Sequence, residues 1–246
     1  MSLRCMQHYE RVDIQEKDIL SITRLGHIER YNLANKLIAS GSVVLDAACG
    51  CGYGTEILSR KTSYVIGIDR NTDAIRLCQE RYGEISNIKF LVADVRDLPF
   101  SGSSFDFVVG IEMIEHIHEP EKFVTESSRV LKPKGSLLVS TPYGDNTLLH
   151  DSKPFSQYHV KEYRQSEIEE LLSDSGFEIL QTYGQYIILG AIMRLINGRV
   201  KPISNVNAGG IQSIMEKMPF FAEVFSKHSP ILKSTSKNMF YHAVKR

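Results

Sequence analysis

The 246-residue sequence lacks an excess of either charge: Lys plus Arg and Asp plus Glu are 29 each, so the net charge is zero. That balance excludes a global basic field of the kind that draws a protein to nucleic acid or anionic lipid, although it says nothing about local patches. No apolar run approaches the roughly 18 residues of a membrane span. The first residues, MSLRCMQHYERVD, lack the apolar core of a secretory signal. Cys5, Cys49, Cys51 and Cys78 have no disulfide-framework spacing, so a reducing, cytoplasmic setting is expected. Cys49 and Cys51 form a C-x-C pair, but no second pair follows to complete a structural zinc site, and they read as small residues of a tight loop. Internal repeats, low-complexity tracts and charge blocks are also missing.

What remains is ordinary globular composition, 42% hydrophobic and 24% charged, arranged in an alternating pattern. Residues 16–40 have helical spacing (Ile19, Ile22, Leu25, Ile28, then Leu33, Leu37), followed by Ser40-Gly41-Ser42. Strand-like runs follow at 43–47, 64–69, 88–94, 105–111, 136–141, 177–183 and 238–244. Helical stretches fall at 53–60, 72–83, 120–132 and 166–175. Asn71 is expected to cap the second of these, and Ser166 with Glu169 has the signature of a capping box. Lys132-Pro133-Lys134-Gly135 reads as a break between helix and strand. This βαβ alternation predicts an α/β fold: a seven-stranded, mostly parallel sheet with helices on both faces. The last strand is expected to be antiparallel. Residues 186–236, with the apolar stretch YIILGAIMRLI, are expected to form a helical cap inserted before it. The whole chain is expected to be one domain, residues 1–40 being an N-terminal helical segment.

The strongest local signal is VVLDAACGCGYGTEIL (43–58). A buried strand runs into Gly50, Gly52 and Gly54 and then into a helix, so a ligand can lie against bare backbone. Dinucleotide enzymes use similar loops, but Asp46 stands at the strand end just before this one. A carboxylate there repels a pyrophosphate and favours a guest that is positive at that end, such as the ammonium and sulfonium of S-adenosylmethionine (SAM). Asp69 ends the second strand, where an acid can accept from both ribose hydroxyls. Asp94 ends the third, where it can accept from an adenine amino group while the Val95 N–H serves a ring nitrogen. Successive parallel strands bring these acids to one rim.

These segments resemble the motifs of class I SAM-dependent methyltransferases: VLDAACGCG, VIGID, FLVADVRDLPF, FDFVVGIEMIEHI and RVLKPKGSLLVSTP, spread over residues 30–183. The resemblance implies a Rossmann-like fold, SAM as cofactor and methyl transfer as the reaction. It implies that Asp46, Ala48, Gly50 and Gly52, with Cys51 in the same loop, flank the methionine part. Asp69 would hold the ribose with Arg70 beside the adenine, Asp94 and Val95 would read the adenine edge, and Ile111 would pass beneath the cofactor. In similar proteins a segment such as HIERYNLANKL (27–37), with Arg30 and Tyr31, closes over the pocket. The chain departs from the family at Ala48, where glycine is usual.

The segment IEMIEHIHEP (111–120) leaves the fourth strand on the same rim. Glu112, Glu115 and His116 fit one helical turn, and PFSQYHVKEY supplies His159 downstream. In one reading Glu115 and His116 border the acceptor pocket, with Glu115, His116 and His159 as the catalytic candidates, histidine being suited to take a proton near neutrality. In the other, Glu112, Glu115, His116 and His159 form a divalent-metal set. That pattern is similar to the small-RNA 3′-end and the ubiquinone-pathway O-methyltransferases. The metal is not the favoured reading. Tyr143, Met215, Met218, Phe220 and Phe221 are further candidates for the acceptor side. The expected acceptor is a small molecule or saccharide, methylated at oxygen. A metal-dependent RNA 2′-O-methyltransferase and a non-catalytic SAM-binding domain are the alternatives, the first disfavoured by the missing basic charge.

Overall fold

The computed structural model describes residues 21–142, 158–185, 225–227 and 238–246. Five helices and eight strands occur among them: α1 (Ser21–Leu37), β1 (Val43–Ala47), α2 (Tyr53–Ser59), β2 (Tyr64–Asp69), α3 (Thr72–Tyr82), β3 (Ile88–Val92), β4 (Phe105–Ile111), α4 (Pro120–Val130), β5 (Leu131–Pro142), α5 (Gln165–Asp174), β6 (Phe177–Gln185), β7 (Phe225–Lys227) and β8 (Asn238–Lys245). All eight strands form one sheet in the order β3-β2-β1-β4-β5-β8-β6-β7. From β3 to β5 every pairing is parallel, whereas β8 runs antiparallel to both of its neighbours.

The strand sequences explain this order. β1 lies between β2 and β4 and is covered on both faces, so it reads as a continuous apolar run broken only by Asp46. One face packs Phe123 and Val124 of α4 and Ile168 and Leu172 of α5 against Phe105, Leu137 and Tyr241. The other packs Leu33, Ala34 and Ile38 against Val44, Leu58, Val109 and Phe240. Asn71 caps α3 as its sequence predicts, its side chain accepting from the Ala74 N–H at 2.9 Å. Chain order reverses beside β1: β2 and β3 lie on one side, β4 and β5 on the other. A crevice therefore opens at the carboxyl ends of β1 and β4, where doubly wound sheets place ligands.

Four expectations need correction. The sheet has eight strands rather than seven. The extra one, β7, pairs with β6 and lies inside the 186–236 segment expected to be helical; the rest of that segment falls outside the described residues, as do Tyr143, Met215, Met218, Phe220 and Phe221. Lys132–Gly135 is not a break before the fifth strand but a bulge within it. Leu131 pairs with Phe105 and Ser136 with Phe107, so four residues bulge out opposite one, with Lys134 at φ 63°. The third strand ends at Val92 rather than at Asp94, although the Ala93 N–H still bonds the Asp69 carbonyl. Finally, α5 is capped two residues earlier than Ser166 and Glu169 suggest: the Glu167 carboxylate accepts from the Arg164 N–H at 2.8 Å.

Candidate functional site

A pocket opens over the carboxyl ends of β1 to β4, and the glycine loop forms its floor. Most of the residues nominated from sequence line it: Tyr31, Ala48, Gly50, Cys51, Asp69, Arg70, Asp94, Val95, Ile111 and His116. Asp46, Gly52, Glu115 and His159 do not.

The loop's glycines serve different ends. Gly52 has φ +81°, and a Cβ on it would lie 2.8 Å from Cys78 Sγ, so it lets the loop sit down on α3. A Cβ on Gly54 would stand 2.0–2.4 Å from three ring atoms of Tyr31, so this glycine makes room for a side chain of α1 and not for a ligand. Ala48 is itself left-handed, at φ 58°. That conformation costs an alanine about 1 kcal/mol and is why glycine is usual there.

Asp46 is fully buried, and the expectation that it faces the ligand is revised by its partners. The Tyr31 hydroxyl donates to Oδ1 at 3.1 Å and the Thr55 hydroxyl to Oδ2 at 2.6 Å. Burial pushes its carboxyl up to about 7, against the pull of those two hydrogen bonds. Its visible work is to hold Tyr31, whose ring meets Tyr53 edge-on at 5.5 Å, against the pocket wall. Thr55 was missed from sequence; a threonine two residues into a helix gives no sign that it will serve an acid nine residues back.

Asp69 ties two loops together. Its Oδ2 accepts from the Gly50 N–H at 3.1 Å and its Oδ1 from the Asn71 N–H at 2.8 Å, which fixes the carboxylate at the end of β2. Asp94 stands at the rim as expected but has a companion that was not anticipated. Arg96 donates to both of its oxygens, at 3.0 and 2.7 Å, and reaches Glu119 at 3.4 Å across the mouth. The Arg96 hydrogen bonds hold the Asp94 carboxyl below its usual range. A further unforeseen pair lines the wall: His27 Nδ1 and the Tyr53 hydroxyl lie 3.1 Å apart.

Residues 114–116 form a single 3-10 turn, Ile114–His116, rather than a longer helix. This separates the three rim residues, Glu112, Glu115 and His116, that spacing had placed on one face. Glu112 turns toward β5 and β8: the Ser140 hydroxyl donates to its Oε1 at 2.9 Å, and the Asn238 amide donates to its Oε2. Glu115, His116 and His159 stay together, one ligand atom from each lying within 4.8 Å of the others. Glu115 is 1% exposed, with Thr141 and Arg30 near enough to favour its charged form. Burial, then the charge of Glu112, raises its carboxyl well above the ordinary range. His116 meets His159 edge-on, with ring centroids 4.9 Å apart. His116 Nδ1 lies 3.1 Å from the Tyr158 carbonyl oxygen, and His159 Nδ1 lies 2.7 Å from Glu162 Oε1. A carbonyl only accepts, so His116 carries a proton on Nδ1. Tyr158 acts through its backbone and Glu162 through a loop closure, so neither had a sequence signal.

Cys49 and Cys78 are free thiols, whereas Cys51 is disulfide-bonded, a pairing that the cysteine spacing did not lead us to expect. Among the described residues no helix is long and apolar enough to cross a membrane.

Residues 45–139 match the sequence family described as "Methyltransferase domain". A Mycolicibacterium smegmatis protein named "Probable S-adenosylmethionine-dependent methyltransferase" is 34% identical over 60% of this chain and 56% of its own length. The fatty-acid O-methyltransferase of the same species is 27% identical over 76% of this chain and 59% of its own. The chain thus spans little more than half the length of these curated relatives. The crystal structure of the YcgJ protein from Bacillus subtilis superposes with a TM-score of 0.62 at 20% identity, covering 89% of this chain and 99% of that one, and shares the fold.

Proposed function

We propose, from the premise that this chain carries a methyltransferase domain, that it transfers a methyl group from SAM to a hydroxyl oxygen of a small acceptor, a saccharide or a lipid-linked molecule. The single observation that carries the reading is the glycine loop lying beside a fixed strand-end acid: Asp69, clamped by the Gly50 and Asn71 N–H groups, lines the same pocket as Ala48, Gly50 and Cys51.

The residues present fit the cofactor. Gly50 has nothing within 4 Å of where a side chain would stand, leaving space over the loop for the methionine part. Asp69 presents to the pocket a carboxylate, a group that accepts from vicinal hydroxyls. Val95 offers a backbone N–H at the adenine edge, with Asp94 beside it on the pocket wall. When bound, SAM supplies an electrophilic methyl group on a sulfonium, so the protein's share of the chemistry is to orient the acceptor and dispose of a proton.

The proton goes to the cluster behind the rim. With SAM bound, His116 Nε2 would take the acceptor hydroxyl's proton as its oxygen takes the methyl group, the products being a methyl ether and S-adenosylhomocysteine. Glu115, whose Oε1 is 4.0 Å from that nitrogen, stands where it would offset the charge the ring acquires once ionised. His159, held by Glu162, buttresses the ring. In this reading no metal takes part. The relatives named for fatty-acid O-methylation and for phthiotriol dimycocerosate methylation support an oxygen acceptor on a lipid-linked molecule. The zero net charge speaks against an RNA acceptor.

His116→Gln tests the assignment. Methyl transfer is expected to fall on the order of 100-fold, a typical share for a positioned base, with cofactor affinity unchanged. The rise of wild-type rate with pH should vanish in the variant, and wild-type activity should survive chelation. A retained pH limb in the variant would remove His116 as the base, and loss of activity on chelation would replace the metal-free reading.

A further inference from the structure

We infer that Glu162 is a positioning residue for methyl transfer: acting through His159, it fixes the orientation of the His116 ring. This rests on the assignment of His116 as base, and it gives a role in the reaction to a residue that does not line the pocket.

Glu115 is poorly placed to steer that ring. Its Oε1 stands 4.0 Å from His116 Nε2, beyond hydrogen-bond reach. The steering comes from five consecutive residues, 158–162, that precede α5. The Tyr158 carbonyl oxygen lies 3.1 Å from His116 Nδ1. The His159 ring meets the His116 ring edge-on, with 4.9 Å between centroids and 78° between planes. The Val160 and Lys161 N–H groups donate to the Glu115 carbonyl at 2.8 and 3.3 Å, which ties the segment to the 3-10 turn that carries His116. Glu162 Oε1 then lies 2.7 Å from His159 Nδ1 and closes the segment on itself.

That last contact decides how His159 faces its neighbour. An edge-on ring contact is broad in angle, and an imidazole turned over about its Cβ–Cγ bond keeps nearly the same shape. A carboxylate removes this freedom. It only accepts, so His159 keeps a proton on Nδ1 and cannot turn over without giving up the bond. The two side chains are only 10% and 7% exposed, so water competes little for either group. Lys161, between them in sequence, is engaged elsewhere: its Nζ is 2.8 Å from Glu167 and 5.0 Å from the centre of the Tyr163 ring. Orientation of this kind matters to rate, since a reacting group misplaced by about 1 Å can cost on the order of 100-fold.

Imidazole proton–nitrogen correlation spectra, with calorimetric titration of SAM, test the inference on wild type, Glu162→Leu and Glu162→Gln. Leucine fills similar space without an acceptor, whereas glutamine keeps an acceptor oxygen without the charge. In wild type both rings should report a proton on Nδ1. In Glu162→Leu the His159 signals should pass to a mixture of tautomers and the His116 signals should shift and broaden, while SAM affinity stays within about twofold. Glu162→Gln should restore the wild-type pattern at both rings. Glu162→Ala serves in place of Glu162→Leu if the latter does not fold. His116 signals unchanged by either apolar variant would overturn the inference. So would a Glu162→Gln protein that resembles Glu162→Leu, or a loss of SAM affinity in step with the His116 shift, which would mark a general distortion. If wild-type His116 carries its proton on Nε2, the base assignment itself fails; if it carries it on Nδ1 and Glu162→Leu leaves it unmoved, only this inference does.

Discussion

Gly54→Ala is expected to destabilise the protein by about 3 kcal/mol or more and to abolish tight cofactor binding, although the change adds one methyl group. The new Cβ would lie 2.0 Å from Tyr31 Cζ. No rotation within the loop relieves such an overlap, because Tyr31 is itself 4% exposed and packed against Tyr53. The ring must leave. Overpacking of this kind costs about 1–3 kcal/mol. Withdrawal of the Tyr31 hydroxyl then strips one of the two donors from buried Asp46, adding about 1–3 kcal/mol. For a chain of this size the melting temperature should fall by roughly 6–12 °C. The pairing with Tyr31 has its own signature: Tyr31→Ala combined with Gly54→Ala should be less destabilising than the two single effects summed, by about 1 kcal/mol or more. Additive effects in a thermal melt, or a Gly54→Ala protein that melts like wild type, would mean that the third glycine does not serve the α1 contact.

Glu115→Gln should do the opposite to stability while damaging activity. The wild-type carboxylate is buried, and its proton affinity is raised well above the ordinary range by burial first and by Glu112 second, with Thr141 and Arg30 opposing. A carboxyl whose folded-state pKa is raised keeps extra protons in the native state. Stability from this group is therefore fully present below the ordinary carboxylate range and is lost as pH climbs through the folded value. Glutamine has the same shape without the charge. The variant should melt several degrees above wild type at pH 8, an effect on the order of 1–3 kcal/mol, and the difference should close near pH 4.5. A residual fall with rising pH should persist in both proteins, because Asp46, raised to about 7, titrates in each. Methyl transfer should drop at least tenfold, since the charge that balances a protonated His116 is gone. Stability purchased by removing a functional group is the usual trade at an active site. A Glu115→Gln protein less stable than wild type at pH 8 would show that a partner compensates the carboxylate.

Much of this was legible in the sequence, for identifiable reasons. Strands buried on both faces announce themselves as apolar runs, and β1, β2 and β4 fall within a residue of where VVLDA, YVIGID and FDFVVGI place them. The acids at their ends lie on one rim because parallel strands share a direction. Periodicity failed where the backbone leaves the ideal. Glu112, Glu115 and His116 match a helical turn in spacing, but a left-handed Glu112 and a 3-10 turn divide them, sending Glu112 toward β8 and Glu115 toward His159. Lys132–Gly135 has break-forming composition, yet the chain absorbs it as a bulge because Leu131 already pairs with Phe105. Asp46 shows a different limit. Its position at the strand end is readable, but the direction of its side chain depends on Tyr31 and Thr55, which come from two other elements.

The central claim is that the pocket takes a ligand that is cationic at the glycine loop and carries a ribose against Asp69. Isothermal titration of wild-type protein and Asp69→Ala with SAM, with NAD as the competing ligand, tests it most directly. The account predicts one SAM per chain, at least tenfold weaker binding to Asp69→Ala, about 1.4 kcal/mol, and no heat from NAD. Binding of NAD in place of SAM, or equal SAM affinity in the two proteins, would contradict it.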